Sequence, residues 1–455
     1  MSLPTCVQTV LDNQDIPYNV TDLSEHSRSS GESIVVKSTI LQDGQGRAQM
    51  LFPAGKLIDI DSLFRAFGRS FEGLPNSEIF PLVDKQELNC VPAIPGWNNL
   101  PTFMDESLLK AEKLWLESGR AQRYLVVKNK DFRGLCGSTH VGSFAVDAYA
   151  NSDDVKNDEP VILDSVKRFT QLRIKQRLDE TLELPPLPET AQKIIKLRAD
   201  PEADISDLTN VVEIDPSLAA QVVSWASSPY YSAPGKIKSV HDAIVRVLGF
   251  DMVLNLALGL ALGKTISLNR FNEAQVKEYW RDAVYTAATV ECLVTSIHRQ
   301  HRPGFGMAYL SGLLHNFGTL VLAEVFPPYF NNINRLRSAN PHLPPEAAEH
   351  HLLSVSGNQI ASWLLGNWNM PDEVVCALRH QSNPEYAGEH KSYALLNYVA
   401  KNLLANRGFG RALPTAIPDS LYEELHLDKE TANIAVDNIL ESGDDLNAIA
   451  DHIRG

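Results

Sequence analysis

The sequence has few of the features that mark membrane, secreted and metal-thiolate proteins. It contains no apolar run close to the roughly 20 residues that a membrane-spanning helix requires. Residues 1–10 lack a basic segment followed by an apolar stretch, so we expect no signal peptide. The five cysteines are widely spaced and form no Cys-x-x-Cys pair, which argues against a zinc site or a disulfide framework. These absences predict a cytoplasmic protein with free thiols.

Positive charge and phosphate-binding loops are also scarce. The chain has 41 basic and 56 acidic residues, a net charge of −15, which disfavours broad binding to nucleic acid or to an anionic membrane. The Gly-x-Gly at 44–46 lies between two predicted strands and favours a turn, not a phosphate loop. A length of 455 residues with 44% apolar content predicts two or three well-packed domains.

The first third of the chain has a mixed pattern. Residues 33–41 are rich in β-branched side chains, and residues 49–54 follow as a partner strand after a glycine turn. Residues 7–11 and 57–67 repeat apolar side chains at helical spacing. The pattern predicts an α+β domain over residues 1–150.

The remainder reads as helical. Residues 151–160 have the composition of a linker, and short apolar-periodic segments separated by proline and glycine continue almost to the end. We expect an all-α bundle after the first domain. The predicted segments are an α+β domain at 1–150, a linker and connecting helix at 151–180, a helical domain at 181–385 and a helical extension at 386–455.

Four short motifs in the helical part resemble the opening half of the HDOD domain, a bacterial relative of the HD phosphohydrolases. They are Leu-Pro-Pro-Leu-Pro at 184–188, Glu-Ile-Asp-Pro-Ser-Leu at 213–218, Ala-Ser-Ser-Pro-Tyr-Tyr at 226–231 and Ser-Val-His-Asp-Ala-Ile at 239–244, the last followed by Leu-Gly at 248–249. The resemblance implies an HD-like helical bundle with a role in signalling. HD hydrolases gather histidine and aspartate side chains around divalent metals that activate water.

The first metal-ligand positions that this resemblance implies are altered. The family places a histidine two positions after a tryptophan, but Trp280 is followed by Asp282. The family's His-Asp pair on a Gly-Leu-Leu helix corresponds to residues 312–318, where His315 is followed by Asn316. Asparagine offers only a neutral carbonyl oxygen, a poor substitute for a carboxylate on a metal cation.

The later ligand positions are altered as well. Gly357 stands where the third histidine is expected, and it offers no side chain. His380 matches the next histidine, but Gln381 replaces a second one, and Lys401 lies near the late aspartate. An ammonium at the site would repel a metal cation. We therefore expect no metal and no other cofactor.

The expected remnants of the pocket are Asp282, His315, Asn316 and His380. Two alternatives stay open at this point. His315, on an apolar helix, is typical of a core histidine whose ring nitrogens form hydrogen bonds with neighbouring groups. Conversely, Asp282, His315 and His380 make a reduced set of two histidines and one carboxylate that suits a divalent metal, as in a metal-dependent phosphohydrolase with a non-standard site.

The first domain resembles the YbaK-type domain, an aminoacyl-tRNA deacylase also found as the editing domain of prolyl-tRNA synthetases. The residues that carry the likeness are Asp-Ile-Pro-Tyr at 15–18, the strand at 35–41, the proline loop at 92–96, and the stretches at 103–108 and 118–119. The resemblance implies hydrolysis of the ester that joins an amino acid to tRNA. It makes Lys37 the candidate catalytic residue; the alternative is a strand lysine that faces solvent.

Two departures weigh against that activity. The family's proline loop begins with a glycine that lets the backbone approach the substrate, and this position is Val91 or Pro92 here. Pro92 also lacks a backbone N–H donor. Acidic residues outnumber basic ones in the domain, which disfavours docking of a tRNA acceptor stem. An inactive or repurposed ligand-binding domain is an equal alternative.

The sequence as a whole predicts a bacterial regulatory protein without catalytic activity. In this interpretation the HDOD-like part binds a signalling protein, and the first domain binds a partner or an aminoacyl or tRNA ligand. The main alternative is an aminoacyl-tRNA deacylase with an appended regulatory module. No membrane association is expected, and a homodimer is left open.

Overall fold

The computed structural model describes most of the chain: residues 3–22, 33–120, 123–148, 158–176, 187–233, 235–263, 271–410 and 414–453. Residues 151–157 of the predicted linker and the motif residues 184–186 lie outside the described residues. The chain forms two compact units. Unit 1 comprises residues 1–153 and 331–352, and unit 2 comprises 154–330 and 353–455.

Unit 1 is built on an eight-stranded mixed sheet with the order β1-β8-β7-β2-β3-β6-β9, in which β5 also pairs with β2, and on a two-stranded sheet of β10 and β4. The strands are β1 (Asn19–Asp22), β2 (Ser33–Asp43), β3 (Gly46–Pro53), β4 (Lys56–Ile58), β5 (Glu72–Gly73), β6 (Thr102–Asp105), β7 (Lys113–Glu117), β8 (Arg123–Lys128), β9 (His140–Gly142) and β10 (Ala145–Asp147). The first helices are α1 (Thr5–Asn13), α2 (Ile60–Phe67), α3 (Asn76–Asp84) and α4 (Asn129–Leu135). The α+β prediction for the first domain is confirmed.

The two faces of the large sheet bury different clusters because side chains alternate along a strand. Val36 and Leu51 point to a core that also contains Leu116 on β7. Phe52 points to the opposite core. Lys37 is in register with Phe52 across the β2–β3 pair, so the two side chains share a face.

The predicted helix at 57–67 is wrong in its first residues. Leu57 and Ile58 belong to β4, and α2 begins only at Ile60. Asp59 separates the two elements because its carboxylate caps the helix, accepting hydrogen bonds from the Asp61 amide and, at 2.5 Å, from the Ser62 hydroxyl.

The rest of the described chain, from residue 158 to 453, consists of helices and turns, which confirms the all-α prediction. The helices are α5 (Glu159–Gln176), α6 (Glu189–Arg198), α7 (Ile205–Glu213), α8 (Pro216–Ala226), α9 (Val240–Ala243), α10 (Phe250–Gly263), α11 (Glu273–Ser296), α12 (Phe305–Leu313), α13 (Phe317–Val325), α14 (Pro327–Ala339), α15 (Pro345–Leu353), α16 (Gly357–Asn367), α17 (Asp372–His380), α18 (Lys391–Ala405), α19 (Asp419–Glu424), α20 (Lys429–Glu441) and α21 (Gly443–Ile453). None of the described helices is by itself long and apolar enough to cross a membrane; the bent pair α12 and α13 reaches that composition only jointly.

Residues 331–352 depart from the expected domain layout. They fall inside the segment predicted as one helical domain, yet they pack into unit 1. Leu336 and Ala339 on α14, with Ala347 and Ala348 on α15, join the core that contains Phe52. Their apolar spacing predicts helices but carries no information about which core they enter.

Asn340 links this segment to β4 through hydrogen bonds of both its side-chain oxygen and its side-chain nitrogen. Its side-chain oxygen accepts from the Ile58 amide at 2.7 Å, and its nitrogen donates to the Ile58 carbonyl at 3.0 Å. His342 lies alongside, with its Nε2 donating to the Lys56 carbonyl at 2.9 Å and its ring packed on Phe52. These contacts satisfy backbone groups of β4 that would otherwise be buried without partners.

We expect Asn340→Ala to lower the free energy of unfolding of unit 1 by roughly 2–4 kcal/mol, because two buried backbone groups of Ile58 lose their partners. Amide hydrogen exchange of peptides that cover β4 measures the effect. Asn332→Ala is the matched control, since Asn332 is exposed on α14, the helix that ends just before Asn340. Equal protection of β4 in the two variants would contradict this account.

Candidate functional site

Unit 2 brings two of the predicted pocket residues into contact. Asp282 lies on α11, and His315 lies in the turn between α12 and α13; both are almost fully buried. His315 Nε2 is 3.2 Å from Asp282 Oδ2, and His315 Nδ1 is 2.8 Å from the Gly312 carbonyl oxygen. Both ring nitrogens therefore face oxygen atoms. These contacts are satisfied when both nitrogens donate, or when Asp282 retains a proton.

Asn316 is held by a contact that an aspartate would lose. Its side-chain nitrogen donates to the Tyr279 carbonyl at 3.0 Å. A carboxylate in the same position would place two acceptor oxygens against each other. The Tyr279 carbonyl on α11 therefore favours asparagine at position 316 over the aspartate of the HD family.

Gly357 and Gly318 form a close crossing between α16 and α13. A Cβ atom added to Gly318 would lie 2.6 Å from the Gly357 carbonyl carbon, and one added to Gly357 would lie 3.0 Å from the Gly318 oxygen. Side chains cannot approach a backbone so closely. A histidine at position 357 would require the two helices to separate.

His380 is not part of the Asp282–His315 contact. Its ring stacks on Tyr386 with centroids 3.8 Å apart, and burial, with the nearby Arg379 charge, lowers its pKa to about 4. Gln381 takes the position beside the pocket instead. Its side-chain nitrogen donates to the His315 carbonyl at 2.8 Å, and its oxygen accepts from Lys401 Nζ at 3.2 Å.

These residues do not fit the metal that an HD hydrolase would hold. His315 Nδ1 donates to the Gly312 carbonyl, its Nε2 shares a proton with Asp282, and Lys401 places a cation at the adjoining Gln381 amide. Within the described ranges, no group of three or more histidine, cysteine, aspartate or glutamate side chains is arranged to hold a metal. We therefore derive no chemical step through a metal at this pocket.

The C-terminal extension covers α11 beside Asp282. Phe409 stacks on Tyr285 at 4.1 Å, with the Arg281 guanidinium 4.8 Å from the ring centre. The next residue, Gly410, adopts a φ of +82°, and a Cβ there would lie 3.1 Å from Asp282 Oδ1. The Tyr285 hydroxyl donates to the Gly443 carbonyl at 3.0 Å, which secures α21 as well.

Lys37 of unit 1 is paired and only one-third exposed. Its Nζ donates to Glu117 Oε1 at 2.8 Å, from β2 to the adjacent parallel strand β7. Burial works to lower the pKa of Lys37, but the charge and hydrogen bond of Glu117 outweigh it, so the pKa is raised. Burial above all raises the pKa of the nearby Cys90 thiol to about 12. Glu117 holds the Lys37 ammonium in a fixed position. Cys90 cannot serve as a thiolate at neutral pH.

Gln49, which the sequence did not single out, holds the proline loop. Its buried side-chain nitrogen donates to the carbonyls of Pro92 and Ile94 at 3.0 and 3.1 Å. The Ala93 amide donates to the Glu117 carbonyl at 2.8 Å, and the Gly96 amide donates to a threonine hydroxyl. These loop donors are already used, which leaves fewer for a developing oxyanion.

Comparison with known proteins finds two domain families in the chain. The HDOD domain model matches residues 184–384, and the aminoacyl-tRNA editing domain model matches residues 18–135. A crystal structure of a candidate signal transduction protein from Marinobacter aquaeolei VT8 is 40% identical, covers 100% of both chains and superposes with a TM-score of 0.88. The chain carries an HDOD domain and belongs to the same family as this Marinobacter protein. Both resemblances seen in the sequence are confirmed.

A more distant solved structure agrees on the fold of part of the chain, and a further relative is similar in sequence. An HDOD domain protein from Geobacter sulfurreducens is 19% identical, with a TM-score of 0.50 over 65% of this chain and 98% of that one. An uncharacterized protein from Treponema pallidum (strain Nichols) is 22% identical over 257 residues, or 56% of this chain. The match spans 48% of the length of the Treponema protein.

We expect Gly318→Ala to destabilise unit 2 by roughly 1–3 kcal/mol, because its methyl group would collide with the backbone of Gly357. The midpoint of urea unfolding measures this. Gly366→Ala on α16 is the control: nothing lies within 4 Å of its added Cβ, so its stability should equal or exceed that of the wild type. A Gly318→Ala protein as stable as the control would refute the close crossing.

Proposed function

We propose that this HDOD protein is a non-catalytic regulatory protein of the bacterial cytoplasm, whose unit 2 binds a signalling protein. The observation that carries the proposal is the engagement of both His315 ring nitrogens, one with Asp282 and one with Gly312. An HD hydrolase needs histidine lone pairs for its metal and an open position for water. In this pocket the His315 ring is engaged by contacts within the protein, whereas the buried Asn316 side-chain oxygen has no partner among the described residues.

Two further observations support this proposal. The contact of Asn316 and the Gly318–Gly357 crossing give two of the altered ligand positions, 316 and 357, a packing role. The Marinobacter protein, similar over its whole length, is named for signal transduction. In this proposal unit 1 binds a ligand or partner and unit 2 presents an interaction surface; self-association into a homodimer is compatible with it.

Metal content tests the proposal directly. We expect protein purified without chelators, then equilibrated with Zn²⁺ or Mn²⁺ and desalted, to retain far less than one ion per chain. Elemental analysis by mass spectrometry gives the ratio, and Asp282→Ala should leave it unchanged. One ion per chain in the wild type that is lost in both Asp282→Ala and His315→Ala would contradict the proposal and favour the non-standard phosphohydrolase.

A second candidate is aminoacyl-tRNA deacylation in unit 1. It is favoured by Lys37, a partly exposed cation oriented by Glu117 beside the proline loop. In that role the ammonium would stabilise the charge that develops on the ester or would bind the terminal phosphate. The Ala93 and Gly96 amides, whose hydrogen bonds are already made, weigh against it.

Hydrolysis of mischarged tRNA distinguishes the two candidates. Our leading proposal predicts background rates for the wild type, for Lys37→Ala and for Lys113→Ala, which changes an exposed lysine on the neighbouring strand. Turnover by the wild type and Lys113→Ala that falls by on the order of 10²-fold in Lys37→Ala would instead establish the deacylase.

A further inference from the structure

Residues 331–352, which we call the inserted segment, bring a histidine close to Lys37. His342 lies between α14 and α15, within the range that the HDOD domain model matches. Lys37 lies on β2, within the range that the editing domain model matches. Both residues nevertheless belong to unit 1. A residue from the sequence of one domain family is therefore folded into the unit that carries the candidate site of the other.

The ring of Phe52 connects His342 with Lys37. Its centroid is 4.8 Å from that of the His342 ring, and Phe52 stands directly opposite Lys37 in the β2–β3 pair. Side chains at such opposed positions lie on one face of the sheet, with Cβ atoms about 4.5–5.5 Å apart. Phe52 is buried, whereas the Lys37 side chain stays partly exposed. The three side chains thus form a row from the inserted segment to the candidate site.

The His342 ring has a defined orientation and charge state. Its Nε2 donates to the Lys56 carbonyl, and its buried Nδ1 has no hydrogen-bond partner in the part of the chain that the structure describes. Burial above all lowers the pKa of His342 to about 4; the hydrogen bond to Lys56 opposes this effect, and the positive charge of Lys37 adds to it. The neutral ring is therefore the form that is compatible with a nearby ammonium.

A second contact packs the inserted segment against another neighbour of β2. A Cβ added to Gly73 on β5 would lie 2.0 Å from the Ser338 carbonyl oxygen, so only glycine allows α14 to approach this closely. Gly73 stands opposite Leu41 of β2. Arg335 adds an ion pair with Glu72 at 3.6 Å. The segment therefore packs on β3 and on β5, two strands that pair directly with the strand of the candidate site.

We propose that the Lys37 site of unit 1 is a composite site, in which the inserted segment forms one side and His342 is a positioning residue that holds Phe52 beside Lys37. The segment connects α13 with α16, so the HDOD part of the chain supplies part of the site. A ligand at Lys37 and the packing of the segment would then each favour the other. This inference rests on the proposed function, in which unit 1 binds a ligand or partner, and it states how that site is built.

Acylation of Lys37 by a small amine-reactive ester tests the composite site without an identified ligand. Mass spectrometry of the whole chain gives the rate at Lys37 relative to that at the exposed Lys113. We expect His342→Ala to raise this ratio by up to about threefold, since the Lys37 side chain is only 34% exposed and would lose cover on the side of Phe52. His342→Phe, which retains a ring against Phe52, should keep the wild-type ratio.

Gly73→Ala tests the role of the segment while leaving Lys37 and His342 unchanged. Its methyl group would push Ser338 away from β5, so the acylation ratio should rise here as well. Gly44→Ala is the matched control, since nothing lies within 4 Å of its added Cβ. Leu11→Ala, in the core on the opposite face of the sheet, should lower the stability of unit 1 and leave the ratio unchanged.

The charge state of His342 provides an independent readout. Nuclear magnetic resonance of protein labelled at histidine, with the signal assigned through His342→Gln, gives the pKa of this ring. Lys37→Met removes a positive charge that lowers the pKa of His342, so this pKa should rise. Lys113→Met, which removes an exposed charge from the neighbouring strand, should leave it unchanged.

An unchanged pKa of His342 in Lys37→Met would overturn the proposal. A Lys37 acylation ratio that stays at the wild-type value in His342→Ala or Gly73→Ala would also overturn it, as would an equal rise in His342→Phe or Leu11→Ala. Neither readout involves metal content or tRNA hydrolysis, so failure here is distinct from failure of the proposed function.

Discussion

The contact between His315 and Asp282 is the constraint on which the account of unit 2 depends. A buried imidazole and a buried carboxylate each need partners, and here they supply one another. The second ring nitrogen is taken by the Gly312 carbonyl. In our proposal this hydrogen-bonded pair stabilises the interior of the bundle at two of the positions that resemble HD metal ligands.

The neighbouring substitutions are consistent with this arrangement. Asn316 donates to a carbonyl that would repel aspartate, and Gln381 joins His315 to Lys401. Gly357 permits a backbone contact that no histidine would allow. Each altered position therefore contributes to packing or hydrogen bonding, which is the pattern expected when a catalytic pocket becomes a structural core.

The sequence predicted the two folds and the altered ligand positions, because periodicity and short motifs are local. It could not predict that Lys37 meets Glu117, eighty positions away, or that Asn340 completes β4. The helical spacing around Leu336 was visible, but a pattern of apolar residues does not specify which core they join.

Nitrogen NMR of the His315 ring tests the central claim most directly. In protein labelled at histidine, with the signal assigned through His315→Gln, we predict ring nitrogen shifts that do not change when one equivalent of Zn²⁺ is added and that change in Asp282→Asn. Ring nitrogen shifts that move stoichiometrically with Zn²⁺ in the wild type would contradict the account, because they would show a lone pair available to a metal.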